Sequence, residues 1–240
     1  MQNVVSLSGG KDSTAMLLMM LDKGEAVHSV VFFDTGWEFP EMLDHIGTVE
    51  DKTGLPVVRL SPPTPFDHLF GAHPVKRRSG PEKGSVHRIG YGWPSVFRRW
   101  CTRIKIDTIR AYLKTIEGSV SCIGFASDEK HRIPVKKGPA ARYPLIEWGI
   151  SEEDALRYCY SKGFAWGGLY EEFGRVSCFC CPLQSIGELR KLRTLRPKLW
   201  EKMLSMDAGL GPDRGFRDHV TVHALERRFG NEERQLSLFK

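Results

Sequence analysis

Two glycines, a lysine, an aspartate and two hydroxyls are packed into Ser8-Gly9-Gly10-Lys11-Asp12-Ser13, just after the apolar pair Val4-Val5. A plain surface turn needs one glycine and an Asn or Asp, so this run offers more than a turn requires. Gly9 and Gly10 let backbone N–H groups wrap an anion, a following helix adds the positive end of its dipole, and Lys11 adds a full charge. Ser8 and Ser13 can donate hydroxyl hydrogen bonds to phosphate oxygens. The spacing departs from the Walker A loop, which needs G-x-x-x-x-G-K-[ST]. A second cluster is Cys178-Phe179-Cys180-Cys181-Pro182. Its C-x-x-C pair can hold a metal or an iron–sulfur cluster from a single turn. Three cysteines in four residues are hard to explain by packing. Cys122, in an apolar strand, and Cys159, in A-L-R-Y-C-Y, read instead as buried core cysteines.

A third feature is charge. Between Arg59 and Arg110 there are eleven Lys or Arg but only three acids, Asp67, Glu82 and Asp107. A basic run is commonly a solvated face. Here it lies beside Tyr91, Trp93, Phe97 and Trp100, a mixture that suits a polyanionic ligand.

These residues must be positioned by the elements around them. Asn3 to Leu7 reads as a short strand, Thr14 to Lys23 as a helix closed by Gly24, and Val27 to Phe33 as a buried strand. Pro40 to Lys52 is helical up to Gly54, and Val57 to Leu60 is another strand. Lys105 to Ile116 is helical and Val120 to Phe125 is again a strand. Alternating strands and helices predict an α/β fold with a doubly wound parallel sheet. The Ser8–Ser13 run then falls at the carboxyl end of the first strand, where such sheets bind ligands. Residues 62–94, rich in Pro, Gly and basic side chains, read as a long insertion or lid. S-E-E-D from Ser151 opens a helix with a capping-box pattern, and the remainder is mainly helical. The expected division is an α/β domain over residues 1–150, carrying the insertion, and a mainly helical region over 151–240.

Length and composition agree. At 240 residues, 41% hydrophobic and 27% charged, the chain can bury a substantial core. No apolar run approaches the length of a membrane span, and the first residues enter a strand without a secretory-signal pattern. The expectation is a cytoplasmic protein that does not engage a membrane. In that reducing setting six cysteines favour metal binding or catalysis over disulfides.

The run Ser8–Ser13 resembles the S-G-G-K-D-S motif of the PP-loop ATP pyrophosphatase superfamily. Phe33-Asp34-Thr35-Gly36-Trp37-Glu38-Phe39-Pro40-Glu41 resembles the D-T-G-x-x-F-P-E signature of the branch holding phosphoadenosine phosphosulfate (PAPS) reductases and the small subunit of ATP sulfurylase. Gly124-Phe125-Ala126-Ser127-Asp128-Glu129 with Arg132 is similar to the G-x-x-x-D-E-x-x-R of PAPS reductase-like proteins. The resemblance implies an adenine nucleotide alpha hydrolase-like fold. It places Ser8, Gly9, Gly10, Lys11, Asp12 and Ser13 at the phosphates of ATP and Mg²⁺, and Asp34, Thr35 and Gly36 beside the adenosine. Gly124, Asp128 and Glu129 complete the nucleotide site, and Lys11, Asp12, Asp34 and Arg103 are the candidates for catalysis. Cys101, in R-R-W-C-T-R-I-K, lies where related proteins carry a cluster ligand. The preferred reading is a [4Fe–4S] cluster on Cys101, Cys178 and Cys181, with Cys180 as fourth ligand. Zinc on the same residues, or three thiolates leaving one iron open, are the alternatives.

Sulfonucleotide reductases of this fold depart from S-G-G-K-D-S and carry a cysteine in a C-terminal E-C-G motif, whereas this sequence keeps the loop and has no cysteine after Cys181. The resemblance therefore favours the ATP-using members, similar to DNA-phosphorothioation sulfurtransferases: ATP-dependent adenylyl or sulfur transfer to a nucleic acid or nucleotide. A sulfur donor protein would supply the sulfur. Sulfonucleotide reduction and a non-catalytic nucleotide- or nucleic-acid-binding module are the competing readings. Finally, Gln235-Leu236-Ser237-Leu238-Phe239 resembles the Q-L-[SD]-L-F peptide by which bacterial DNA-processing proteins dock on the sliding clamp, which requires a flexible tail.

Overall fold

The computed structural model describes residues 1–133, 140–211, 214–217 and 219–237. In chain order the elements are β1 (Gln2–Ser6), α1 (Lys11–Asp22), β2 (Ser29–Phe33), α2 (Pro40–Thr53), β3 (Val57–Leu60), α3 (Phe66–Gly71), β4 (Pro74–Lys76) and β5 (Val86–Ile89). There follow α4 (Trp100–Leu113), β6 (Ser119–Ile123), a 3₁₀ turn (Ser127–Arg132), β7 (Ala141–Arg142), α5 (Pro144–Glu147) and α6 (Glu152–Ser161). A second 3₁₀ turn (Trp166–Gly168), α7 (Leu169–Glu172), α8 (Ile186–Leu195), α9 (Pro197–Ala208) and α10 (Val222–Ser237) complete them.

The chain forms two compact units, residues 1–63 with 104–172 and residues 64–103 with 173–240. This is a different division from one at residue 150. Residues 151–172 pack with the α/β unit, and the basic insertion packs with the C-terminal helices.

The first unit is the doubly wound sheet. All five strands are parallel, in the order β3-β2-β1-β6-β7. Central strands reach this state because both faces are covered, so their sequences are continuous apolar runs. Val4, Val5, Val30, Val31, Phe32 and Phe33 are all at most 1% exposed. Val4 and Val31 pack with Ile109, Tyr112 and Leu113 of α4 on one face. Their neighbours Val5 and Val30 alternate to the other face. From β1 the chain steps outward through β2 and β3, then returns to β6 on the opposite side of β1. The gap between β1 and β6 is thus the switch point, where open α/β sheets bind ligands. Helix ends follow local chemistry. α2 starts on Pro40 and stops at Gly54 in the left-handed region (φ 67°). Ser151 and Asp154 form the reciprocal capping box of α6.

The second unit is organised by aromatic side chains of the insertion. Trp93 is 4% exposed, packs edge-on to Phe70 and Phe216, and donates its indole N–H to Asp207 at 2.9 Å. Trp100 packs edge-on to Phe66, stacks with Tyr91 and donates to the Gly92 carbonyl at 3.1 Å. β4 and β5 form an antiparallel hairpin. α10 buries Val222, Leu225 and Phe229 and is tied to α8 through Arg193 with Glu226 and Glu233, and Arg190 with Glu232. The sequence suggests a flexible end from residue 235, yet α10 continues through Ser237. Leu238 and Phe239 of the clamp-like peptide lie outside the described residues. Among the described residues no helix is long and apolar enough to cross a membrane.

Candidate nucleotide and metal sites

After β1 the chain makes a turn that only glycine fits. Gly9 has φ 81°, and a Cβ there would lie 2.3 Å from Met42 Sδ. α1 then begins at Lys11, one turn earlier than its apolar residues alone indicate. The loop closes on Ser13: the Ser8 amide donates to Ser13 Oγ at 3.0 Å, the two hydroxyls are 2.9 Å apart, and Ser13 Oγ donates to the Gly10 carbonyl at 3.0 Å. Ser13 is 4% exposed. Its hydroxyl therefore shapes the loop, whereas Ser8 is exposed.

The loop is braced from three sides within this unit. Trp166 donates its indole N–H to the Gly9 carbonyl at 2.7 Å, and the Lys11 amide donates to Tyr170 Oη at 2.8 Å. Trp166 stacks on His45, whose Nε2 is 2.9 Å from Thr14 Oγ1 in α1. Gly124, just after β6, approaches so closely that a Cβ would lie 2.8 Å from Ser13 Cα and N. That contact closes the switch point. Gly124→Ala is expected to lower both nucleotide affinity and melting temperature, because backbone rather than a flexible side chain would have to move. Calorimetric titration with ATP and a thermal melt check this, with Gly47→Ala, which lies within α2 and meets no atom within 4 Å, as the control that keeps affinity and does not lower the melting temperature.

Lys11 is 9% exposed and its Nζ lies 2.8 Å from Glu152 Oε2 and 3.1 Å from Asp12 Oδ2. Burial would lower its pKa, but the bond to Glu152 and the Asp12 charge outweigh burial and hold it above its ordinary value. Asp12 is pushed up to about 6, first by burial and further by the charges of Glu152 and Glu129, against the pull of Lys11. Asp12 Oδ1 and Glu129 Oε2 are buried with no hydrogen-bond partner. Glu129 also pairs with Arg132 at 2.5 Å, and the Glu152 amide donates to Asp128 at 3.3 Å. Lys11, Asp12, Glu129, Arg132 and Glu152 are one electrostatic cluster at the switch point. Mg²⁺ with a nucleotide is held by one or two carboxylates plus phosphates, and two orphaned carboxylate oxygens beside a lysine fit that donor set.

The loop after β2 is held by its own side chains. The Asp34 carboxylate accepts from the Gly36 amide at 2.8 Å, and Gly36 has φ 75°. Glu38 Oε2 accepts from the Thr35 hydroxyl at 2.6 Å and from the amides of Thr35 and Trp37. Asp34 thus spends one oxygen on the turn. Arg103 is exposed on α4 and belongs to the second unit.

His45 gives the site a pH signature. Burial lowers its pKa to about 4, so the native chain keeps it neutral while an unfolded histidine protonates near 6.5. Between those values the unfolded chain binds more protons, so this contribution to stability is complete above about pH 6.5 and is lost as pH falls toward 4. The loss amounts to about 3 kcal/mol across that window. Asp12 works in the opposite sense, its raised value favouring the fold as pH drops. Denaturant unfolding at about pH 7.5 and about pH 5 should show His45→Gln losing less stability than the wild-type chain. An identical loss in both would remove His45 as the cause.

In the second unit, Cys178 to Cys181 form a tight turn in which the Cys181 amide donates to the Cys178 carbonyl at 3.2 Å. The buried Gln184 amide group fastens it, donating to the carbonyls of Cys178 and Phe179 at 3.1 and 3.2 Å. Cys101 sits in the first turn of α4, and its thiol is pushed up by burial and further by the charge of Cys181. Cys101, Cys178 and Cys181 are half-buried, whereas Cys180 is 1% exposed in the apolar core, where burial raises its thiol well above the ordinary value. Three accessible thiols fit a metal or cluster better than four. Ligation by Cys180 would require its side chain to leave the core. Among the described residues no three His, Cys, Asp or Glu side chains stand already arranged as a metal site. Cys122 and Cys159 are fully buried in the first unit, Cys159 with its thiol pushed up to about 12.

Glu152, Tyr170 and Trp166 are the site residues that pattern reading misses. Glu152 was visible only as part of a helix start, and nothing local says that α6 packs against α1. Trp166 carries the one available signal, a W-G-G run, and it adopts φ 49°, rare for a bulky residue.

With this geometry in place, comparison with known proteins is direct. The sequence profile of the phosphoadenosine phosphosulfate reductase domain matches residues 2–184. The chain belongs to that family. It is 30% identical over 212 residues to the uncharacterized protein MJ0066 of Methanocaldococcus jannaschii, covering 83% of this chain and 40% of that protein. It is 27% identical over 231 residues to MJ0973 of the same organism, covering 88% and 50%. The chain thus spans half or less of the length of these relatives.

Proposed function

We propose that the chain is an ATP-dependent transferase that adenylylates a nucleic acid or nucleotide and replaces the adenylate with sulfur. The observation that carries this reading is the intact Ser8–Ser13 loop, with Lys11 set among Asp12, Glu129 and Glu152 and two carboxylate oxygens left without partners. That arrangement suits the phosphates of a bound nucleotide. In this scheme the loop amides and Lys11 hold the phosphates and stabilise charge developing on pyrophosphate. Asp12 and Glu129 would hold Mg²⁺, which supplies further charge neutralisation at the phosphates. An acceptor oxygen attacks the α-phosphorus, the bond to the bridging oxygen breaks, pyrophosphate leaves, and the acceptor proton passes to water. A sulfur nucleophile from a separate donor then displaces AMP, forming the bond to sulfur as the bond to the adenylate oxygen breaks. Cys101, Cys178 and Cys181 would hold an iron–sulfur cluster, which as a bound cofactor supplies a carrier for that sulfur; zinc on the same residues would instead make the site structural. The basic composition of residues 64–103 supports an acidic acceptor.

The test is anaerobic incubation with ATP, Mg²⁺, a sulfide source and pooled RNA or DNA, followed by nucleoside mass analysis. A thiolated nucleoside formed with stoichiometric AMP supports the reading. Sulfite released from PAPS by an external thiol, with no ATP consumed, would replace it with sulfonucleotide reduction.

A further inference from the structure

Phe97 is 94% exposed, an extreme value for a phenylalanine. It is nonetheless carried on a hydrogen-bonded turn. It sits in the turn Ser95–Arg98, where the Arg98 amide donates to the Ser95 carbonyl at 3.1 Å and to its hydroxyl at 3.2 Å, and the Ser95 amide donates back to Arg98 at 3.3 Å. On either side the chain is anchored by the indoles of Trp93 and Trp100 described above. A phenylalanine ring held in solvent beside arginines is a surface on which a base can stack.

The charges next to it in sequence are basic. Arg98 and Arg99 follow directly, and both are exposed. Arg214 donates to the carbonyls of Ile89 and Gly90 at 2.7 and 3.3 Å, beside Arg88 in sequence. Arg88 Nε is buried and makes no hydrogen bond. Burial, and then the charges of Arg98 and Arg214, hold the Arg88 guanidinium below its ordinary value, and no carboxylate offsets them. Among the described residues, Glu82 pairs with Arg77 at 2.8 Å and Asp207 binds Trp93 and the His223 amide, while Asp213 and Asp218, the acids beside Arg214 in sequence, lie outside the described residues. Among the described residues no carboxylate pairs with Arg88, Arg98 or Arg214, and an anionic ligand would suit that place.

We infer that Phe97 with Arg88, Arg98 and Arg214 forms a binding site for single-stranded nucleic acid, a base stacking on Phe97 and a backbone phosphate seated among the three arginines. This rests on the reading that the acceptor is a nucleic acid, and adds the form and the residues. Single strands are held by aromatic platforms combined with basic grooves. Within a duplex the base faces are stacked on one another and cannot reach such a ring. An anionic membrane offers the arginines the same phosphodiester but no base to stack on Phe97, so the test below includes vesicles.

Fluorescence anisotropy with a labelled mixed-sequence single-stranded oligonucleotide tests this on the full chain. The wild-type protein should bind it more tightly than the matching duplex and more tightly than phosphatidylglycerol vesicles. Phe97→Ala should weaken binding about 10-fold or more, as removal of one stacked base does, with Phe97→Tyr restoring it. Arg98→Ala should reduce the salt dependence by about 0.7 in the log–log slope. ATP affinity should not change in Phe97→Ala. Equal binding by wild type and Phe97→Ala, or preference for duplex or vesicles, overturns the inference. If the oligonucleotide fails to bind while ATP binds and is consumed with an acceptor, this site falls and the transferase reading stands. If ATP itself does not bind, the transferase reading is the one that fails.

Discussion

Protein purified without oxygen should be brown and contain iron, and Cys101→Ser or Cys181→Ser should each abolish colour and iron together. Thiolate-bound iron–sulfur clusters absorb broadly in the visible, so the readout is immediate. The expectation rests on placement. The turn at Cys178–Cys181 is fixed by Gln184, and Cys101 enters the same unit on the first turn of α4, near enough to Cys181 for their charges to interact. Cys159→Ser should leave iron unchanged, since that thiol is wholly buried in the other unit. Cys180→Ala decides the ligand number: retained iron with a modest loss of stability is expected from its core position, and complete loss of iron would make it the fourth ligand. A colourless wild-type protein holding one zinc would keep the metal site and remove the cluster.

The second large effect belongs to Lys11. Lys11→Ala should weaken ATP binding about 10- to 100-fold, corresponding to the roughly 1.5 to 3 kcal/mol carried by a hydrogen bond to a charged group. The ammonium lies against Glu152 and Asp12, so its loss also leaves carboxylates facing the phosphates, which pushes the effect toward the upper end. Lys11→Arg should recover little, because a planar guanidinium cannot occupy the place of a compact ammonium between two carboxylates. Calorimetry with ATP and Mg²⁺ measures this, and circular dichroism confirms that the sheet is intact. Unchanged affinity in Lys11→Ala would dissociate the loop from phosphate binding.

Much of this site was legible because its signals are local. Two adjacent glycines, a lysine and a strand-to-helix boundary locate an anion-binding loop, and the D-T-G turn and the Ser151 cap are spelled by neighbouring residues. Gly124 was legible as part of a motif, but its physical role, clearance for Ser13, appears only once β6 is seen beside β1. What stayed hidden is what depends on distant packing. Glu152 reaches Lys11 across 141 residues of sequence. The partnership of the insertion with the C-terminal helices is made by Trp93 and Asp207, and neither residue announces the other. Ser13 has the chemistry of a phosphate ligand, yet three bonds turn its hydroxyl into the loop. The start of α4 at Trp100, earlier than Lys105, lacks any capping signal, because what holds it is the Trp100 indole on the Gly92 carbonyl. The helical course of residues 235–237 likewise follows from α10 as a whole, an element with apolar residues at 222, 225 and 229 and arginine pairs to α8.

On the proposed function, ATP is cleaved at the Ser8–Ser13 loop between its α- and β-phosphates. The decisive measurement incubates ATP labelled at the α-phosphate with Mg²⁺ and acceptor nucleic acid and resolves the products by chromatography. Labelled AMP appearing in step with pyrophosphate, dependent on acceptor and abolished in Lys11→Ala, is the expected result. Labelled ADP with inorganic phosphate, or intact ATP under conditions where PAPS is reduced to sulfite, would contradict it.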